Sequence, residues 1–225
     1  MDTRKLIEKA SGRFADKPAL IFKGEAITFA RLRDQTLRLA SVLKANCSVN
    51  KGDKIAIYLP NCPQYVYSYL ACFCLGGVGV PLDFMLTTDE LISCLSHSQA
   101  KVLITKIKND VALDEIRRAV PSIEAIILCE GGMEGALDYE SLMRTAGTDV
   151  PEAAIQDQDP ALIMYTSGTT GKPKGILLNY KHLDGSPEAM KHFVDLTDND
   201  VKLAAIPLSH IGGFIYIQNC IHFGI

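Results

Sequence analysis

The chain has 225 residues, 48% of them hydrophobic and 22% charged, which is enough to bury one large core or two smaller ones. Lys and Arg number 23 against 26 Asp and Glu, a formal charge of −3, and no basic run is interleaved with aromatics. No nucleic-acid partner is therefore expected.

The amino-terminal residues, Met1-Asp2-Thr3-Arg4-Lys5, lack the apolar run of a signal peptide. Pro18 to Phe29 reads as a hairpin turning at Lys23-Gly24-Glu25. A helix follows, with Phe29, Leu32, Thr36, Leu39, Ala40 and Leu43 on one face. Lys54 to Leu59 is a short apolar strand ended by Pro60, Gln64 to Leu75 a helix closed by Gly76-Gly77, and Val78 to Leu82 a strand. Ile55 to Leu82 carries no charge, but its prolines and glycines interrupt it, so a buried helix and strand are expected there and no transmembrane segment.

Thr87-Thr88-Asp89-Glu90 is a capping-box sequence opening a helix to about Ser98. Lys101 to Thr105 and Ala125 to Cys129 read as strands, and Val111 to Val120 and Tyr139 to Thr145 as helices. Strands and helices alternate over short connections, and several strands are apolar throughout. This predicts an α/β fold, with parallel-rich sheets flanked by helices in αβα layers. Gly147 to Pro160 reads as a linker. It divides an amino-terminal α/β subdomain, 1–150, from the start of a second, 151–225.

Seven cysteines are scattered through apolar segments, and only Cys72 and Cys74 lie close together. That is no metal-ligand spacing; buried free thiols in a reducing, cytoplasmic setting are expected.

After the linker, Ala161 to Tyr165 is an apolar strand and Ile176 to Leu178 another. Between them runs Thr166-Ser167-Gly168-Thr169-Thr170-Gly171-Lys172-Pro173-Lys174-Gly175. The glycines let backbone N–H groups converge on a bulky anion, the hydroxyls add donors, and Lys172 and Lys174 add positive charge. Pro173 restricts the backbone beside Lys174. A di- or triphosphate suits such a cradle. It is not a Walker A loop, because two residues rather than four separate Gly168 from Gly171 and Pro173 follows Lys172.

The run Tyr165 to Gly175 resembles the signature loop of the adenylate-forming enzymes: acyl-CoA synthetases, 4-coumarate ligases, luciferases and peptide-synthetase adenylation domains. Ile27 to Leu32, Gly52 to Asn61, Leu75 to Asp83 with Thr87 to Leu91, and Ile206 to Gly213 are similar to further elements of that family in order and spacing. Cys74, Phe84-Met85 and Tyr180 depart from its pattern.

The resemblance implies a two-step reaction. A carboxylate attacks the α-phosphorus of Mg-ATP, giving acyl-AMP and pyrophosphate, and a thiol, usually of coenzyme A, displaces AMP. It implies that Thr166, Ser167, Gly168, Thr169, Thr170, Gly171, Lys172, Lys174 and Gly175 hold the phosphates, with Lys174 catalytic. Thr169 would help with Mg2+, and His210 and Gly212 would line the acyl site. A fatty acid is the expected acid. Alternatives are a fatty acyl-AMP ligase or adenylation module charging a carrier protein, and a non-catalytic nucleotide-binding protein. His97 reads as a surface or packing residue. The family's ribose-binding and carboxy-terminal elements are not in the chain, and Leu203 to Ile225 holds no charged residue. An amino-terminal part of a longer acid–thiol ligase, inactive on its own, is therefore expected. Its last residues would complete a strand and begin a helix whose open apolar stripe favours self-association.

Overall fold

The computed structural model describes residues 2–109, 111–166, 174–191 and 194–225. Helix α1 (Thr3–Phe14) starts where the Asp2 carboxylate accepts from the Lys5 amide at 3.1 Å. The hairpin β1 (Pro18–Phe22) and β2 (Glu25–Thr28) turns through Lys23 and Gly24, both at positive φ. Helix α2 (Phe29–Asn46) begins where the Thr28 hydroxyl accepts from the Arg31 amide at 3.2 Å.

Strand β3 (Lys54–Tyr58) leads to α3 (Pro63–Cys74). That helix ends in a Schellman turn: Gly76 has φ +67, its amide donates to the Phe73 carbonyl at 3.1 Å, and the Gly77 amide donates to that of Cys72 at 2.9 Å. Strand β4 (Val78–Pro81) follows. The capping box forms at α4 (Thr88–Ser98), where Glu90 Oε2 accepts from the Thr87 amide at 2.9 Å and Thr87 Oγ1 accepts from the Glu90 amide at 3.4 Å.

The chain continues through β5 (Val102–Thr105), α5 (Leu113–Ala119), β6 (Ala125–Leu128), the two-residue β7 (Leu137–Asp138) and α6 (Tyr139–Thr145). The last described elements are β8 (Pro160–Thr166), β9 (Lys174–Asn179), α7 (Tyr180–Lys191) and α8 (Ile211–Phe223).

Seven strands form one sheet in the order β7-β6-β5-β3-β4-β8-β9, parallel except for β9, which runs antiparallel to β8. Strand β8, which follows the expected boundary at residue 150, joins this sheet with Leu162 opposite Gly79. Side chains alternate across the sheet. Ile55, Ile57, Val102, Ile104 and Ile127 enter one core, covered by α1, α2, α3, α6, α7 and α8. Ala56, Tyr58, Val80, Leu103 and Leu128 enter the other, covered by α4 and α5. Connections from β3 and from β4 thus leave toward opposite faces. The strand order reverses between β3 and β5, which is the topological switch point of this sheet, and open α/β sheets bind ligands at the carboxyl ends of their strands.

The final segment differs from the sequence expectation. Residues 203–205 are not a strand. Helix α8 does not leave its stripe open: Phe214, Ile217 and Ile221 are buried within the chain. The Phe214 ring lies 5.5 Å from Tyr69 and 5.6 Å from Phe73, both on α3. Such aromatic pairs add about 0.5–1.5 kcal/mol each beyond the area they bury. The apolar face expected to await other sheet residues is satisfied by α1, α3 and α7. The exposed large apolar side chains of this segment are Val201, Leu203, Ile206 and, at the first residue of α8, Ile211.

The departures at Tyr180 and Phe84 also have structural accounts. Tyr180 is buried at the start of α7, edge-on to Phe73, with its hydroxyl donating to the Gly77 carbonyl at 2.9 Å. Phe84 packs on Tyr58 at 4.8 Å, and the Tyr58 hydroxyl meets the carbonyls of Phe84 and Leu86 at 3.1 and 2.8 Å. This shapes the loop after β4. No helix among the described residues is long and apolar enough to cross a membrane.

Candidate active site

The signature run joins β8 to β9 at the carboxyl end of the sheet. Its two stems are paired, Thr166 opposite Lys174 and Tyr165 opposite Gly175. Ser167, Gly168, Thr169, Thr170, Gly171 and Lys172 lie outside the described residues. Lys174 is exposed at the base of the connection.

Tyr165 ties the first stem to α4. Its hydroxyl lies 2.9 Å from the Cys94 carbonyl and 2.8 Å from His97 Nδ1, and the rings meet edge to face at 5.7 Å. With the phenolic proton on the Cys94 carbonyl, Nδ1–H of His97 is the donor to the phenol oxygen. Burial pushes the Tyr165 phenol up to about 12, so it stays protonated at neutral pH. On the second stem, a Cβ at Gly175 would stand 2.9 Å from Ile163 Cγ2 and 3.2 Å from His97 Cε1. The last glycine of the signature run thus leaves room for side chains that support the first stem.

Beside the stems opens a cleft of about 960 Å³. Its walls come from the loop after β4 (Leu82, Asp83, Leu86), the start of α4, the stems (Tyr165, Thr166, Ile176) and the turn before α8 (Ser209, His210). The volume is within the range of small-molecule sites, and most of the surface is apolar. Glu90 on its rim is held below the usual carboxylate range by its hydrogen bonds from Thr87.

His210 takes the N-cap position of α8 in extended conformation, yet its side chain caps nothing. The imidazole is exposed, with Nε2 3.9 Å from Asp83 Oδ2. The other Asp83 oxygen accepts from the Met85 amide at 3.0 Å. The structure therefore brings Thr166 and His210 to one cleft, and Lys174, Gly175 and Gly212 do not form its wall.

Asp83 and Gly213 escaped the reading of the sequence, whereas His97, read as a surface or packing residue, is exposed and packs on Tyr165. A Cβ at Gly212 would meet nothing closer than Ile206 Cδ1 at 3.6 Å, whereas one at Gly213 would lie 2.5 Å from the Pro207 carbonyl oxygen and 2.6 Å from Leu208 Cα. Gly213 is the glycine that the turn carrying His210 requires. Among the described residues, no three or more His, Cys, Asp or Glu side chains gather to hold a metal. Thr169, the expected magnesium contact, lies outside them.

The chain is similar to 2-succinylbenzoate–CoA ligase from Bacillus velezensis, 33% identical over 210 residues, covering 93% of this chain and 40% of that protein. Among solved structures it resembles o-succinylbenzoate CoA synthetase from Bacillus subtilis in complex with its acyl-adenylate intermediate. The TM-score is 0.80 and the identity 30%, over 98% of this chain and 54% of that one. The fold is also that of the N-terminal domain of FACL13 from Mycobacterium tuberculosis, with TM-score 0.88 at 24% identity over 99% of this chain and 55% of that one. The chain thus spans about half or less of the length of these relatives. The sequence profile of the AMP-binding enzymes matches residues 7–224. With its parallel sheet, paired loop stems and adjoining cleft, the chain belongs to the AMP-binding enzyme family.

Proposed function

We propose that the chain forms the phosphate-binding and carboxylate-facing part of an ATP-dependent acid–CoA ligase. The observation that carries the reading is the pairing of Thr166 with Lys174 at the carboxyl end of the sheet, beside a cleft that His210 shares. In this reading Thr166, Ser167, Gly168, Thr169, Thr170, Gly171, Lys172, Lys174 and Gly175 surround the β- and γ-phosphates. Lys174 supplies charge as pyrophosphate leaves. A carboxylate oxygen of the acid, held near His210 and Gly212, attacks the α-phosphorus, and the bond from that phosphorus to pyrophosphate breaks. The thiol of coenzyme A then attacks the acyl carbonyl, and AMP departs. Thr169 would stand beside the Mg2+ that accompanies the nucleotide, an ion that would offset phosphate charge.

The apolar walls of the cleft support an acid with an apolar body, fatty acids being one such class. The seven cysteines, all free, support a reducing, cytoplasmic setting. Self-association is proposed only through Val201 and Leu203, 82% and 85% exposed, and light scattering tests it. Incubation of the whole ligase, of which the chain is proposed to be part, with ATP, coenzyme A and a panel of aliphatic and aromatic acids, followed by chromatography of the thioesters, tests the function. Thioester formation that needs ATP and releases AMP is expected. Release of ADP, or no dependence on a carboxylic acid, would overturn the reading.

A further inference from the structure

Two motifs far apart in sequence meet at the carboxyl end of β3. Asn61 closes Leu59-Pro60-Asn61, just beyond the strand. Its Nδ2 donates to the carbonyls of Ala204 at 3.3 Å and Ile206 at 3.0 Å, and its Oδ1 accepts from the Leu208 amide at 2.9 Å. One side chain thus serves three main-chain groups of alternate residues. Its orientation is set by its partners, since a flipped amide would face oxygen with oxygen and N–H with N–H. From α3 the Tyr69 hydroxyl adds a buried bond to the Leu208 carbonyl at 3.2 Å.

Residues 201–205 belong to no helix or strand, so no ladder fixes the approach to the turn. Asn61 and Tyr69 grip it through side chains instead. From Leu208 the path to the cleft is short: the His210 amide donates to the Pro207 carbonyl at 3.0 Å, and α8 begins at the next residue. Asn61 itself lies beyond the end of β3, so it takes no part in that strand's ladder.

We propose that Asn61 is the positioning residue for His210. It fixes residues 204–208 against the end of β3, and so sets the imidazole at the lip of the cleft beside Asp83. The proposal rests on the reading that His210 faces the carboxylate substrate, and its test separates the two. It also explains why a short polar side chain with both a donor and an acceptor follows Pro60: Asp, Ser or Ala in that place could not bridge the same three groups.

The test combines hydrogen exchange with a double-mutant cycle. In Asn61→Ala the Leu208 amide should exchange about tenfold faster or more, while the amides of Ile55 to Tyr58 keep their protection, which distinguishes local release from unfolding. In carboxylate-dependent ATP–pyrophosphate exchange by the whole ligase, the same substitution should raise KM for the acid about tenfold and leave KM for ATP within about twofold. In a His210→Ala background, Asn61→Ala should cost nothing further. Equal losses in both backgrounds, or rapid Leu208 exchange with an unchanged KM for the acid, would overturn the proposal alone. A silent His210→Ala would overturn the reading of His210 and the proposal with it.

Discussion

Gly212 and Gly213 are neighbours at the start of α8, and the structure predicts opposite outcomes for replacing them with alanine. At Gly212 the new methyl meets only Ile206 Cδ1 at 3.6 Å, an ordinary contact. Removing a glycine from a helix gains about 0.5–1 kcal/mol, so Gly212→Ala should be neutral to stabilising. At Gly213 the methyl would stand 2.5 Å from the Pro207 oxygen and 2.6 Å from Leu208 Cα. Both are main-chain atoms of the turn gripped by Asn61 and Tyr69, so no side-chain rotation relieves the overlap. Overpacking of this kind costs about 1–3 kcal/mol, which separates the two variants by about 1.5–4 kcal/mol. For a chain of this size each kcal/mol moves the melting temperature by about 2–4 °C, so the midpoints should differ by roughly 3–16 °C. Thermal unfolding followed by circular dichroism reads this directly. Gly213→Ala as stable as Gly212→Ala would refute the described path of residues 207–213.

Gly175→Ala should destabilise by about 1–3 kcal/mol through contact with Ile163 and His97, and truncating Ile163 as well should relieve part of it; strictly additive melting shifts would count against this packing. Tyr180→Phe leaves the Gly77 carbonyl without its phenol donor and should cost about 1–3 kcal/mol in a denaturant titration, an unchanged midpoint being the adverse result. Thr87→Ala should cost about 0.5–2 kcal/mol at pH 7 by removing the cap of α4. The Glu90 carboxylate has its folded pKa lowered by Thr87, so its share is present above the ordinary value of 4.5 and is lost as pH falls through the lower folded value. The amide at position 87 still donates to Glu90 in the variant. The wild-type advantage should therefore shrink in acid by the share of the Thr87 hydroxyl's bond to that carboxylate, and an advantage constant from pH 7 to about pH 3 would contradict that bond.

Local devices were legible in the sequence because their partners lie within a few residues. The hairpin at Lys23-Gly24, the capping box at Thr87 and the turn at Gly76-Gly77 need only short-range chemistry, and each stands where its residues indicate. The alternation of apolar strands and helices likewise foretold a parallel-rich sheet with helices on both faces. Strand β7 has two residues and no periodicity to read. The fate of α8 was misread because its apolar stripe is visible in sequence but its partners, Tyr69 and Phe73, come from a helix far earlier in the chain. The site divides in the same way. The signature run and His210 stand out by residue type and resemblance. Asp83 and Gly213 matter through contacts with residues distant along the chain or through main-chain atoms of a turn, which composition does not encode.

The central claim is that the connection between β8 and β9 serves the phosphates of ATP while an acid is activated beside it. Carboxylate-dependent ATP–pyrophosphate exchange by the whole ligase, compared between the wild-type enzyme and its Lys174→Ala variant, tests it most directly. Loss of one charge-assisted phosphate contact should lower the acid-dependent exchange rate by about one to two powers of ten. Exchange that needs the acid but is unaffected by Lys174→Ala and by Lys172→Ala would contradict the assignment of this connection to the triphosphate.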